Sequence, residues 1–238
     1  MKWHRIINEL LSHLGVQIKR FPDKDLARRL KIIKNLGVNL ILDVGANTGQ
    51  YAKEMRSLGY RGRLVSFEPL QSAYRLLEKS ALKHSNWKVY RYALGDQDGR
   101  INLNVSGNSF SSSILNMLPA HEKSAPGSSY IAVEEIEIKT LDSVFYSFFS
   151  TGDQVMLKID TQGYEKQVLD GAREALKFIQ IVQVEMSLTP LYQSGWLFQD
   201  VILFLHGIGF ELYSLENGFS DPLSGQLLQV DGIFIKKG

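Results

Sequence analysis

"LILDVGANTGQY", residues 40–51, is the stretch that decides the fold. The apolar run from Leu40 to Asp43 suits a strand buried on both faces. Gly45-Ala46-Asn47-Thr48-Gly49 follows, and then a segment of helical character. A strand that passes through a glycine-rich turn into a helix is a nucleotide-holding arrangement. The glycines at 45 and 49 let backbone approach a ligand, and the helix start offers free N–H groups. In the dinucleotide fingerprint G-x-G-x-x-G the middle glycine leaves room for a pyrophosphate. Here the spacing is Gly-x-Asn-x-Gly, and Asp43 stands two residues before the first glycine. A carboxylate at that place repels a pyrophosphate and suits an ammonium or a sulfonium. That disfavours NAD and favours S-adenosylmethionine.

Two further acids follow strands. "RLVSFEP" puts Glu68 at the end of the next strand, where a carboxylate accepts hydrogen bonds from ribose hydroxyls. "ALGD" puts Asp96 after the third strand, within reach of an adenine amino group. Each acid alone is an ordinary loop residue. Three at successive strand ends, where such folds bind ligands, form a pattern.

Outward from this stretch, strands and helices alternate. The pattern predicts strands over 40–43, 63–67, 87–93, 155–159 and 181–185. It predicts helices over 49–58, 72–83, 164–176 and 197–206, with Tyr74, Leu77 and Leu82 available for the inner side of the second. Residues 210–215 and 228–236 read as a closing antiparallel pair. Such alternation is that of a doubly wound α/β sheet. "RINLNV" and "IAVEEIEI" alternate apolar and polar residues, as edge strands do. The Ser-, Gly- and Pro-rich residues between them read as a long loop.

Upstream, Trp3, Ile6, Ile7, Leu10, Leu11 and Leu14 repeat at helical spacing before Gly15. Leu26, Leu30 and Ile33 share the face of a second helix that Gly37 stops. Residues 1–36 are thus expected to form a helical extension on a domain spanning 37–238. Residues 1–42 hold nine Lys or Arg against three Asp or Glu, although the chain as a whole carries only +2. A basic extension of this kind could touch a membrane surface peripherally, and a solvated helical face explains it as well.

Composition excludes several functions. There is no cysteine, so disulfides, thiolate nucleophiles and cysteine zinc sites are absent. No run of 18 apolar residues is present. Asn8 and Glu9 interrupt the would-be apolar core of a signal peptide, which makes a cytoplasmic location the expectation. The near-neutral body disfavours a nucleic-acid partner.

The chain resembles the FkbM family of S-adenosylmethionine-dependent methyltransferases. "ILDVGANTGQY", "GRLVSFEP", "YALGDQDG", "KTLDSV", "LKIDTQGYEKQVLDGA" and "VQVEMS" carry the resemblance, in order, from about residue 41 to 187. The tail "GFELYSL" with "DGIFIKK" is compatible. "VGANTG" is common to many methyltransferases, whereas "KIDTQGYEKQVLDGA" after "TLD" is specific to this family. Thr161 departs from the Val or Cys frequent in relatives.

The resemblance implies a class I, Rossmann-like fold: a mostly parallel seven-stranded sheet with one antiparallel strand near the C-terminus. It also implies O-methylation of a sugar, glycoconjugate or specialised metabolite. The expected cofactor contacts are Asp43, Gly45, Ala46, Asn47, Gly49 and Gln50 in the turn. Glu68 and Pro69 follow the second strand, Ala93, Leu94 and Asp96 the third, and Asp160 the fourth, beside the transferring methyl group.

A hydroxyl is a poor nucleophile, so a positioned base is expected. Asp160 is the first candidate, with Glu165 and Glu185 near it. Converging carboxylates could instead hold a divalent cation, which is compatible with the pattern but not expected. The plainer readings are that Glu165 caps a helix and that Glu185 pairs with a lysine or backbone amides. Lys158 shares a strand face with Asp160 and would pair with Asp160 or Glu185. His121 reads as a solvated loop residue or a lid residue. Ser109 and Ser111–Ser113 read as solvated or substrate-facing, and Tyr192 and Trp196 as packing or stacking residues. The acceptor is expected to be a small molecule or saccharide. Oligomeric state is not legible. The alternatives on the same scaffold are a nucleotide-dependent oxidoreductase and a non-catalytic S-adenosylmethionine-binding module.

Overall fold

Helix α1, Lys24–Asn35, starts where Asp23 accepts the N–H of Leu26 at 2.9 Å. It stops at Leu36, and Gly37 follows in the left-handed region. Ile32 and Ile33 sit in the core against Ile41 and Met55. The computed structural model describes residues 7, 8, 11–16, 18 and 21–237. Residues 7, 8, 11 and 12 are helical and residues 13–15 form a turn, and residues 3–6, 9 and 10 of the first expected helix lie outside the described residues.

Strand β1, Leu40–Val44, is buried along its whole length, as its apolar run demands. It is followed by α2, Gln50–Ser57, then β2, Arg63–Phe67, α3, Gln71–Ala81, and β3, Trp87–Tyr90. After a second, smaller sheet come β7, Val155–Ile159, and α6, Glu165–Asp170. Strand β8, Ile179–Ser187, α7, Phe198–Gly207, β9, Phe210–Asn217, and β10, Gln229–Lys236, complete the chain. The main sheet has seven strands in the order β3-β2-β1-β7-β8-β10-β9. Only β10 runs against its neighbours, β8 and β9. The order reverses between β1 and β7, the place where doubly wound sheets open a crevice at the strand ends. Leu42, Val44, Phe67, Leu157, Ile159 and Val184 fill one side of the sheet. Full burial of such side chains stabilises the fold by roughly 1.5–3 kcal/mol each.

Several expectations need correction. The expected strand 87–93 is two: β3 ends at Tyr90, and β4, Ala93–Leu94, turns out to join another sheet. That sheet has the order β4-β6-β5, with β5 at Gly99–Ser106 and β6 at Tyr130–Lys139. The alternating segments therefore pair with each other rather than edging the main sheet, because each has one apolar face to bury. Leu103, Ile136 and Ile138 supply it. In α3, Leu77 is buried but Leu82 is 82% exposed, one residue beyond the helix. The long loop between β5 and β6 is ordered around a short helix, α4, Pro119–Ser124.

Several signature stretches knit loops together. Asp142 of "TLD", in α5, Leu141–Val144, accepts the N–H groups of Glu174 at 3.0 Å and Ala175 at 2.8 Å. Asp98 accepts the N–H of Thr140 at 2.6 Å. Gly171 of "VLDGA" lies so close to Gly95 that an added Cβ would stand 1.8 Å from the Gly95 carbonyl oxygen.

Candidate active site

A cavity of about 390 Å³ opens at the carboxyl ends of β1, β2, β7 and β8. The glycine turn forms its floor. Gly45 and Gly49 both have positive φ, and the protein's own packing already requires glycine at each. A Cβ on Gly45 would lie 1.8 Å from the Asp160 carbonyl oxygen, and one on Gly49 would press on Leu77 and Trp87 at 2.9 Å. The turn is tight because β7 and the core crowd it. Asn47 is also left-handed, and its side chain accepts the N–H of Thr48 at 2.8 Å.

Asp43 is fully buried below the cavity and does not line it. It accepts the Ser66 hydroxyl at 3.2 Å and pairs with Lys158 Nζ at 3.2 Å. The inference from Asp43 to a cationic ligand thus fails in its direct form, since the cation that Asp43 meets is Lys158. The Lys158 ammonium also reaches Asp160 at 3.5 Å. Burial works to lower its pKa, but Asp43 and then Asp160 outweigh burial and raise it, so the ammonium stays charged.

Glu68 lines the cavity with its carboxylate fixed by backbone. Oε2 accepts the Asn47 N–H and Oε1 the Leu70 N–H, each at 2.8 Å. Burial pushes this carboxyl up to about 7, against the pull of those two N–H groups. Beside it Pro69, Ala93, Leu94, Leu103, Phe110 and Ile114 make an apolar slot edged by Ser109 and Ser112. Gly45, Ala46, Asn47, Gln50, Lys158 and Asp160 complete the expected residues that reach the cavity, and Gly49 does not line it. Asp96 does not reach it. It is exposed, because β4 pairs with β6 and carries the chain away before residue 96.

Asp160 follows β7 with its side chain 36% exposed. Gln162 stands beside it in the left-handed region and donates its amide to two carboxylates, Asp160 Oδ1 and Glu185 Oε2, each at 2.9 Å. The Tyr192 hydroxyl donates to Gln162 Oε1 at 2.8 Å, and the Gln162 carbonyl accepts the Ser113 hydroxyl at 2.7 Å.

Glu165 turns away from the cavity. It accepts the N–H groups of Thr161 at 2.9 Å and Gly163 at 3.1 Å, holding the turn before α6. Its carboxyl is pushed up, first by burial. Glu185 also stands outside the cavity wall and accepts a second amide, from Gln229, at 2.6 Å. Burial and then Asp160 push it well above the ordinary range. The expected carboxylates thus do not converge. The Gln162 amide stands between Asp160 and Glu185 and bridges them, and Glu165 is spent on backbone. Among the described residues, no group of three or more His, Cys, Asp or Glu is arranged to hold a metal ion.

His121 is buried rather than solvated, with its ring against Tyr192 and Phe219 and Nε2 3.2 Å from the Ser111 hydroxyl. Tyr192 is core, pressed on Gly163, and Trp196 packs on Phe204. Residues not anticipated from sequence complete the cavity: Arg29, Tyr51, Glu54, Gln162, Gln183 and Asp231. Gln183 and Asp231 left a legible signal, as polar residues inside otherwise apolar strands. Arg29, on an amphipathic helix, left none.

This wall fits S-adenosylmethionine: an apolar slot for a flat base, a fixed carboxylate with remaining lone pairs for ribose hydroxyls, and carboxylate near the turn for a cationic centre. A model of the methyltransferase FkbM domain matches residues 43–212. No curated protein matches the chain. Fibrillarin from Aeropyrum pernix, solved with S-adenosylmethionine, is 13% identical over 87% of this chain and 74% of that one, with a TM-score of 0.47. M. capricolum TrmK, solved with S-adenosylhomocysteine, is 9% identical over 92% and 70%, with a TM-score of 0.48. A SAM-dependent methyltransferase from Aquifex aeolicus is 11% identical over 87% and 89%, with a TM-score of 0.43. With a family match over most of its length and a cavity of this composition, the chain belongs to the FkbM methyltransferases and depends on S-adenosylmethionine.

Proposed function

We propose that the protein methylates a hydroxyl of a sugar, glycoconjugate or specialised metabolite, with Asp160 as the proton acceptor. One observation carries the reading: Asp160 is the carboxylate beside the glycine turn that both faces the cavity and is held in place from two sides, by Gln162 and Lys158. When bound, S-adenosylmethionine supplies an electrophilic methyl group. Glu68 would hold its ribose and the Pro69–Ala93–Leu94 slot its base. Asp160 then takes the acceptor's hydroxyl proton as the oxygen is alkylated. Holding acceptor and methyl group in line supplies much of the rate, and the base adds to it.

The acceptor in this reading is a small molecule or saccharide and not a nucleic acid, since the acids of the cavity oppose a polyanion. A cytoplasmic site of action is part of this reading. Among the described residues no helix is long and apolar enough to cross a membrane. Residues 1–36 are read as an extension of the domain at 37–238, able to touch a membrane peripherally. Liposome flotation of the full chain and of a form lacking residues 1–20 tests that contact, and equal flotation rejects it. The function is tested by transfer of a labelled methyl group from S-adenosylmethionine to a panel of sugars and glycosides. Hydroxyl methylation that Asp160→Asn abolishes supports it. Transfer undiminished in Asp160→Asn, or transfer only to RNA, rejects it.

A further inference from the structure

The cavity runs across the sheet. Its nucleoside end lies over β2 and the start of β4, and the glycine turn belongs to β1. In the other direction lie β7, β8 and then β10. Strand β10 is three places from β1, roughly 14 Å at about 4.8 Å per strand. The cavity still has walls there, formed by Gln183 of β8 and Asp231 of β10.

Both residues keep unused polar atoms. The Asp231 side chain accepts no hydrogen bond and makes no ion pair among the described residues, although the charges of Lys158 and Arg29 reach it. Gln183 is 2% exposed. Its Oε1 accepts the Tyr51 hydroxyl at 3.1 Å, while its amide nitrogen donates to nothing among the described residues. Gln183 lies opposite Ile233 in the β8–β10 pair, and Asp231 is two residues from Ile233. The two side chains are therefore diagonal neighbours on one face. Neither group is sealed from solvent: both open onto the cavity, so a free donor beside a free acceptor on its wall reads as a ligand contact.

Charge narrows the ligand class. Asp231 lies opposite Glu185 on one side and Glu216 on the other. The two nearest cations are already engaged. Lys158 serves Asp43 and Asp160, and Arg29 serves Glu54 and Glu216. An anion entering here meets like charge, whereas a cation supplies what is missing. We infer that the methyl acceptor is an amine-bearing polyol such as an amino sugar, whose ammonium pairs with Asp231 while a neighbouring hydroxyl or ring oxygen accepts from the Gln183 amide. This rests on the reading of Asp160 as the base. The β7–β8–β10 order sets Asp160 and Asp231 roughly 10 Å apart at the backbone, a span that a substituted sugar ring bridges between their side chains. Burial, and then the nearby Asp160, push the Asp231 carboxyl up to about 6, so it is mostly ionised at neutral pH.

The test uses matched acceptors on the full chain at pH 7.5: glucosamine and galactosamine against their N-acetyl forms, and an aminoglycoside against its fully N-acetylated form. Label transfer from S-adenosylmethionine is measured, and mass spectrometry locates the methyl group. The free amine should exceed its N-acetyl partner in kcat/KM by about tenfold or more. Asp231→Asn should erase that preference, with S-adenosylhomocysteine binding by calorimetry as the control for folding. Equal or better use of the N-acetyl members by the wild type, or no transfer to any amine, overturns the inference. Neutral sugars methylated on oxygen without preference for amines would leave the hydroxyl reading standing alone. Amines methylated on nitrogen would overturn both, because the amine would then sit at the methyl group and not at Asp231.

Discussion

Glu68 and Asp231 are carboxylates at opposite ends of one cavity, and burial raises both, to about 7 and about 6. Their partners differ. Glu68 accepts two backbone N–H groups at 2.8 Å, one from the glycine turn and one from the start of α3. Its geometry is set before any ligand arrives, as suits a group that reads an unvarying ribose. Asp231 accepts nothing, and its strand neighbours Glu185 and Glu216 are themselves acids. That end is electrostatically incomplete. A cofactor end built rigidly and an acceptor end left unsatisfied divide the labour of one cavity: the first fixes what never changes, and the second selects by what it lacks.

The contrast can be broken experimentally. Asp160 stands between the two ends, and the largest effect is expected there. Asp160→Asn should slow methyl transfer about 10²- to 10⁴-fold, while S-adenosylhomocysteine affinity measured by calorimetry stays within about threefold. A parallel loss of cofactor binding would move Asp160 to the cofactor end. Next, Glu68→Gln should weaken S-adenosylhomocysteine binding about 10- to 100-fold, the worth of hydrogen bonds to a charged group.

The same residue predicts a pH dependence. Ribose hydroxyls favour the carboxylate, whereas the free protein holds the proton up to about pH 7. Affinity should therefore fall by up to about tenfold per unit as pH drops below 7, and binding should release a proton near neutrality. Titrations in buffers of different ionisation enthalpy would reveal that release, and the dependence should vanish in Glu68→Gln.

The smallest effect is on stability. With a folded pKa of about 6, above its ordinary value of 3.8, Asp231 contributes stability that is full below the ordinary value and lost as pH rises through 6. Asp231→Asn should thus raise Tm by about 2–4 °C at pH 8 and by little at pH 4. A drop at pH 8 would mean that Asp231 has a partner in the free protein and that the two ends are alike.

The nucleoside end was legible because its residues lie just after consecutive strands. Gly45, Ala46, Asn47, Gln50, Glu68, Pro69, Ala93 and Leu94 reach the cavity as their spacing from strand ends predicts. Asp96 failed by the same logic, since β4 leaves the main sheet and takes the loop with it. The glycines were located correctly, but part of their reason was not legible: the Asp160 carbonyl, Leu77 and Trp87 leave no room for a Cβ. Asp43 and Glu165 were misread because sequence marks a carboxylate without marking the group that will consume it. Lys158 consumes Asp43, and the N–H groups of the 161–163 turn consume Glu165.

By itself, the sequence determined the alternation of strands and helices, the antiparallel close, the glycine turn on β1 and the family. These rest on periodicity and on short motifs, which are properties of neighbouring residues. Only the tertiary structure decided that Arg29, Tyr51, Gln183 and Asp231 share a wall, and that the alternating segments 99–106 and 130–139 form a sheet of their own. Those outcomes depend on which strands lie side by side. Burial and charge pairing are settled between elements far apart in the chain, after each has formed.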